Sequence, residues 1–172
     1  MMIDAALPAL AAELATTLRR IVPIGFDAER HLSCSYREAP GLVYLSLHPN
    51  ALTMAEAIVH ETQHTKLNLL SWLDPILTND PVERVASPAR PDPRPLMGVL
   101  LAVHAFVPVA WLHRELTAID HPITRSPWFA RRRQQVLDGN GAGLATLSAH
   151  AHPTATGARV LAALTDLDAA LR

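Results

Sequence analysis

The five residues His60-Glu61-Thr62-Gln63-His64 decide how the rest of the chain is read. They sit within Ala51–Leu70, where Leu52, Ala55, Ile58, Val59, Thr62, Leu67 and Leu70 recur at helical spacing. On a helix, positions i and i+4 share a face, so His60 and His64 project together and can hold one metal ion. Glu61 points about 100° away from them and is better placed to meet a metal-bound water than the metal. This is the HExxH arrangement of helical metal sites. Ile58 and Val59 before it, with Leu67, Leu69 and Leu70 after it, mark the helix as buried. Two imidazoles and a carboxylate inside a buried helix require partners, and a metal supplies one.

The elements around the motif follow from local signals. Asp4 can cap a first helix running to about Arg20, with Pro8 in its first turns. Extended segments are expected at Ile21–Phe26, His31–Arg37 and Leu42–His48, the last closed by Pro49-Asn50. Thr53 and Glu56 form a capping box for the motif helix, with Asn50 as a rival cap. The strand Leu42–His48 leads into that helix, and its edge is a template for an extended peptide as readily as an ordinary edge strand.

Past Asp74-Pro75, the proline-dense stretch Leu77–Pro95 reads as a stiff loop. Arg90 and Arg94 on that loop are spaced to present guanidinium groups to a carboxylate, or else to pair with Asp80, Glu83 or Asp92. Leu96–Ile119 is a second long helix, apolar almost all round and therefore central, with a kink expected at Pro108. Ser126-Pro127 opens a helix to about Leu137. Asp138-Gly139-Asn140-Gly141 reads as a break, followed by helices at Gly143–His150 and Thr154–Leu171. The expected fold is α+β, mostly α. A helical bundle surrounds the HExxH helix and the second buried helix, with a small N-terminal antiparallel sheet, in a zincin-like arrangement over one domain, residues 1–172.

Composition narrows the function classes. A net charge of −1 and a single basic run, Arg131-Arg132-Arg133, exclude a nucleic-acid stripe; the run reads as a solvated helix face. Cys34 is the only cysteine, so neither an internal disulfide nor a thiolate cluster can form. Met1–Pro8 carries Asp4 where a signal peptide carries a base, and no uninterrupted apolar run approaches a membrane span. A cytoplasmic protein without membrane or nucleic-acid partners is expected.

A two-histidine site needs a further ligand. Asp74, Glu83, His104, His113 and Glu115 are the candidates, and His104 is preferred because it alone is polar in the middle of an apolar helix. His113 lies roughly 180° around the helix from His104, so the two cannot reach one ion. With zinc, such a site holds a water whose proton Glu61 takes, and the hydroxide attacks a peptide carbonyl. With ferrous iron, open positions accept a chelating co-substrate and dioxygen, and a C–H bond is oxidised. Spacing alone does not separate the two.

The segment Leu52–Leu70, with Thr65-Lys66-Leu67-Asn68 following the motif, resembles the HExxH-motif domain family associated with ribosomally made, modified peptides. Ser87–Ala110, with Arg90-Pro91-Asp92-Pro93-Arg94-Pro95-Leu96 leading into Gly98-Val99-Leu100, resembles it too. That resemblance spans about Gly41–Leu116. It implies an iron(II)- and 2-oxoglutarate-dependent peptide β-hydroxylase acting with O2 on a precursor peptide, rather than a zinc metallopeptidase. On that basis His60, His64 and His104 are the expected metal ligands, and Glu61 orients a ligand or bound water. Arg90 or Arg94 is our own choice for the residue holding the far carboxylate of 2-oxoglutarate.

Overall fold

Which faces find a partner, more than local propensity, sets the elements of this chain. The computed structural model describes residues 2–86 and 92–172. The expected first helix is two helices, α1 (Met2–Ala6) and α2 (Pro8–Thr17). Pro8 has no N–H to continue the ladder, and Leu7 between them leaves helical geometry at φ −139° and ψ 71°. Residue 20 already belongs to β1 (Arg20–Phe26), followed by β2 (Ser33–Ser35) and β3 (Leu42–Leu47).

The sheet is mixed, which corrects the antiparallel expectation. Its order is β1-β3-β2, with β1 parallel and β2 antiparallel to β3. The parallel pairing follows from the long excursion between β1 and β3, which lets the chain cross over rather than turn back in a hairpin. Leu42–Leu47 is therefore the central strand, both edges occupied, and cannot serve as a peptide template. Its Val43 and Leu45 are fully buried, whereas β1 leaves Phe26 exposed.

Helix α3 (Ala51–Leu73) carries the motif. Asn50 caps it, its side-chain oxygen accepting from the N–H of Leu52 at 2.9 Å and of Thr53 at 3.4 Å. The capping box does not form, because Glu56 turns inward to other partners. Helix α4 (Leu96–Ala118) runs through Pro108 and lies at the centre, against α3, α5 (Pro127–His150) and α6 (Ala155–Leu171). Contrary to the sequence expectation, α4 is long and apolar enough to cross a membrane by composition, with a mean hydropathy of 1.8. Its Leu100, Val107, Leu112 and Leu116 are fully buried among neighbouring helices, each burial contributing about 1.5–3 kcal/mol. The apolar surface thus serves a core.

Asp138-Gly139-Asn140-Gly141 is no break. Helix α5 continues through it, because packing on α4 and α6 outweighs the weak propensity of glycine. A Cβ at Gly141 would stand 2.6 Å from Nη2 of Arg172, the far end of a flexible side chain that could move aside. The closing helix is capped by Thr154, whose Oγ1 accepts from the N–H of Gly157 at 3.0 Å. Gly157 abuts the backbone of Ile76 so closely that a Cβ would overlap its carbonyl oxygen. Gly→Ala normally stabilises a helix by about 1 kcal/mol. Gly157→Ala is expected to reverse that sign and cost about 3 kcal/mol by overpacking, read as a lower urea midpoint at unchanged m-value.

Candidate metal centre

The helical period brings His60 and His64 onto one face of α3, their ring centroids 4.3 Å apart and nearly perpendicular. Phe106 of α4 lies against His60, with ring centroids 4.5 Å apart. His104 lies on α4 beside the His64 turn, close to the backbone of Gln63. All three rings bury Nδ1 without a hydrogen-bond partner among the described residues, a costly state for a polar atom. Burial pushes the pKa of His60 down to about 3, helped by His64 and by the positive charge of Arg132. Burial also takes His104 down to about 4, with Lys66 and His64 adding to it. His64 is lowered as well, again chiefly by burial. Neutral imidazole is the form that binds metal, so the protein holds these rings ready at neutral pH. Among the described residues, no third His, Cys, Asp or Glu side chain joins the His60–His64 pair within metal-ligand range.

Glu61 faces elsewhere. Its carboxylate is 3% exposed and turned toward β2, where Ser33 Oγ and Ser35 Oγ each donate to one of its oxygens at 2.7 Å. β2 is paired with β3 on one side and with no strand on the other among the described residues. Glu61 thereby fastens the motif helix to an edge strand. The alternation of Ser33 and Ser35 around Cys34 is the sequence signal for this contact, but it has meaning only once β2 is placed over α3.

The remaining expected site residues are dispersed. Arg94 forms an isolated bridge with Val85 and an ion pair with Asp92 at 3.4 Å, at the start of α4. Arg90 lies outside the described residues. Glu115 accepts from Trp111 and Arg114, and Asp74 accepts from Thr156. Glu83 lies exposed in the loop after α3. His113 is 0% exposed and donates to Glu56 Oε1 at 2.7 Å, and so is committed to that carboxylate. An ionised carboxylate can only accept, so Nε2 of His113 carries the proton in this pair.

Arg132 is the residue that sequence reasoning missed. The run Arg131-Arg132-Arg133 is not a uniform solvated face. Arg132 Nε and Nη2 reach Glu56 Oε2 at 2.9 and 2.7 Å, and Arg133 donates to the carbonyl of Leu171. Burial would raise the pKa of Glu56, but hydrogen bonds from His113 and Arg132 and the guanidinium charge outweigh it and hold it below the usual range. A cleft of about 220 Å³ opens here, lined by His31, Ser33, Thr53, His60, Phe106 and Arg132 among others. A larger cleft, about 470 Å³ between Arg37, Asn68, Asp80 and Met97, lies toward the other end of α3 and brings no imidazole into play. The smaller cleft reaches His60 of the histidine pair and the carboxylate of Glu56 beside it. No protein-family model and no curated protein matches this chain.

Proposed function

We propose that the protein is an iron(II)- and 2-oxoglutarate-dependent oxygenase that hydroxylates the β-carbon of a residue in a ribosomally made precursor peptide, in the cytoplasm. The observation carrying this reading is the division of labour within the motif. His60 and His64 form a neutral imidazole pair, while both oxygens of Glu61 are engaged by serine hydroxyls. A general base must reach the water it deprotonates, whereas Glu61 is 3% exposed and turned toward β2, which suits a carboxylate that orients its surroundings. The buried imidazoles of His60 and His64, each with an orphaned ring nitrogen, suit a borderline metal such as ferrous iron, with His104 proposed as the third donor although the described residues do not gather it beside the pair. In this reading the helix and strand keep a zincin-like relationship put to oxidative use.

When bound, ferrous iron with 2-oxoglutarate and dioxygen supplies the oxidation that turns a C–H bond into C–OH, releasing succinate and carbon dioxide. The chain's own residues do the rest. His60 and His64 would hold the metal from one helical face, and Phe106 packs against the His60 ring. Glu61 secures α3 against Ser33 and Ser35. The unpaired outer edge of β2 offers backbone donors and acceptors to an extended peptide.

Protein reconstituted anaerobically with ferrous iron is expected to release succinate from 2-oxoglutarate on exposure to air. A precursor peptide encoded nearby should gain the mass of one oxygen. Zinc-supported peptide cleavage without any gain of oxygen would replace this reading with a metallopeptidase.

A further inference from the structure

We propose that the cleft of about 470 Å³ is a recognition pocket for the peptide substrate. It takes a bulky apolar side chain beside an acidic residue, about four positions along an extended peptide from the residue that is modified. The proposal rests on the oxygenase reading above and deepens it: the reaction belongs to the His60 cleft, and the peptide is read at this second one.

Alignment is the first argument. His60, His64, Asn68 and Ser71 fall on one stripe of a helix with 3.6 residues per turn. Asn68 and Ser71 line the larger cleft, so the histidine face of α3 continues into it. On α4, Phe106 lines the His60 cleft, and Met97 and Leu101 line the larger one. The segment around β2 does the same, with His31 and Ser33 at the smaller cleft and Arg37 at the larger. Three elements pass from one cleft to the other in step, so the two clefts follow one another along a single line. β2 runs beside that line, and among the described residues no strand covers its outer edge. From His60 to Asn68 the helix rises about 12 Å, which an extended peptide covers in about four residues.

Chemistry is the second. Ile76, Leu77, Leu96, Met97 and Leu101 give the pocket an apolar wall. Its volume falls within the roughly 300–1,000 Å³ of sites that enclose small ligands, enough for a leucine-sized or aromatic side chain with its flanking backbone. Arg37 also lines the pocket and is exposed, its guanidinium carbon 5.8 Å from the centre of the Trp72 ring. Among the described residues it forms no ion pair. Asp80, the carboxylate on the lining, turns Oδ1 to the N–H of Val82 at 2.9 Å, so Arg37 is the cation left for a ligand. A guanidinium held over an aromatic ring and without a carboxylate of its own offers its N–H fork to an acid.

The test titrates two capped dipeptides, acetyl-Leu-Glu-amide and acetyl-Leu-Gln-amide, into the full chain loaded with diamagnetic zinc. NMR follows the indole N–H of Trp72, beneath Arg37, and the methyl group of Met97 on the pocket wall. Both probes are expected to shift these signals. Arg37→Gln is expected to weaken the glutamate probe about fivefold, the worth of one exposed charge contact, and to leave the glutamine probe unchanged. Ser71→Phe, which fills the pocket from the surface of α3, is expected to weaken both by about tenfold or more. Neither position belongs to the buried core. Unmoved Trp72 and Met97 signals in the wild type, or equal affinities in Ser71→Phe, overturn the proposal. Dimerisation that Ser71→Phe abolishes, without probe binding, gives the pocket to a second copy of the chain and overturns it too. If the wild-type ferrous protein releases succinate in any of these cases, the oxygenase reading stands. Probe binding by a protein that neither binds 2-oxoglutarate nor releases succinate overturns that reading instead and keeps the peptide pocket.

Discussion

Glu56→Ala is expected to lower folding stability by about 3–5 kcal/mol, the usual cost of removing one partner from a buried ion pair. For a chain of this size that corresponds to a fall in Tm on the order of 10 °C. The carboxylate of Glu56 accepts the N–H of fully buried His113 and that of Arg132 Nε, and Arg132 Nη2 lies 2.7 Å from it as an ion pair. Its removal leaves a guanidinium charge beside the Phe106 ring and a buried imidazole N–H with nothing to bond. Glu56→Gln keeps the volume and one acceptor, and is expected to cost less.

The same pair has a pH signature. The folded-state pKa of Glu56 is depressed, so its contribution is present above the unfolded carboxylate value and is lost as pH falls through the folded one. The difference between wild type and Glu56→Ala should therefore shrink in acid. Urea unfolding at neutral and acidic pH measures both effects. A neutral-pH loss under 1 kcal/mol would show that the pair is not the anchor described.

Loss of either motif histidine is the second large effect. His60→Ala and His64→Ala are each expected to weaken ferrous iron by more than about 100-fold, since even residues behind metal ligands cost 10–100-fold when removed. Succinate formation should vanish with the metal. The stability of the metal-free protein should change little. Each ring buries an unpartnered Nδ1, a penalty of about 1–3 kcal/mol, and removing it offsets much of the packing lost. Metal stoichiometry measured after dialysis, alongside unfolding of the metal-free variants, separates the two consequences. His104→Ala in the same assay tests the third ligand: wild-type iron content in that variant moves the assignment away from His104.

Much of the fold is local in origin. The 3.6-residue period places His60 and His64 together whatever surrounds α3, and the apolar run Met97–Leu112 makes α4 central through hydrophobicity alone. Asn50 and Thr154 cap their helices by chemistry written within three residues. The structure departs from local preference where packing overrides it. Gly139 and Gly141 stay helical because α5 is held along its length against α4 and α6.

The sequence by itself determined a mostly helical α+β chain built on a two-histidine helical face, because both features depend on spacing over a few residues. Only the tertiary structure decided what surrounds that face. Glu56 and Arg132 stand 76 positions apart, and Glu61 meets serines 26 and 28 positions away. No periodicity encodes such pairings. They exist because the crossing of α3, α4 and α5, and the placing of β2 over α3, bury polar groups that are stable only when each finds its partner.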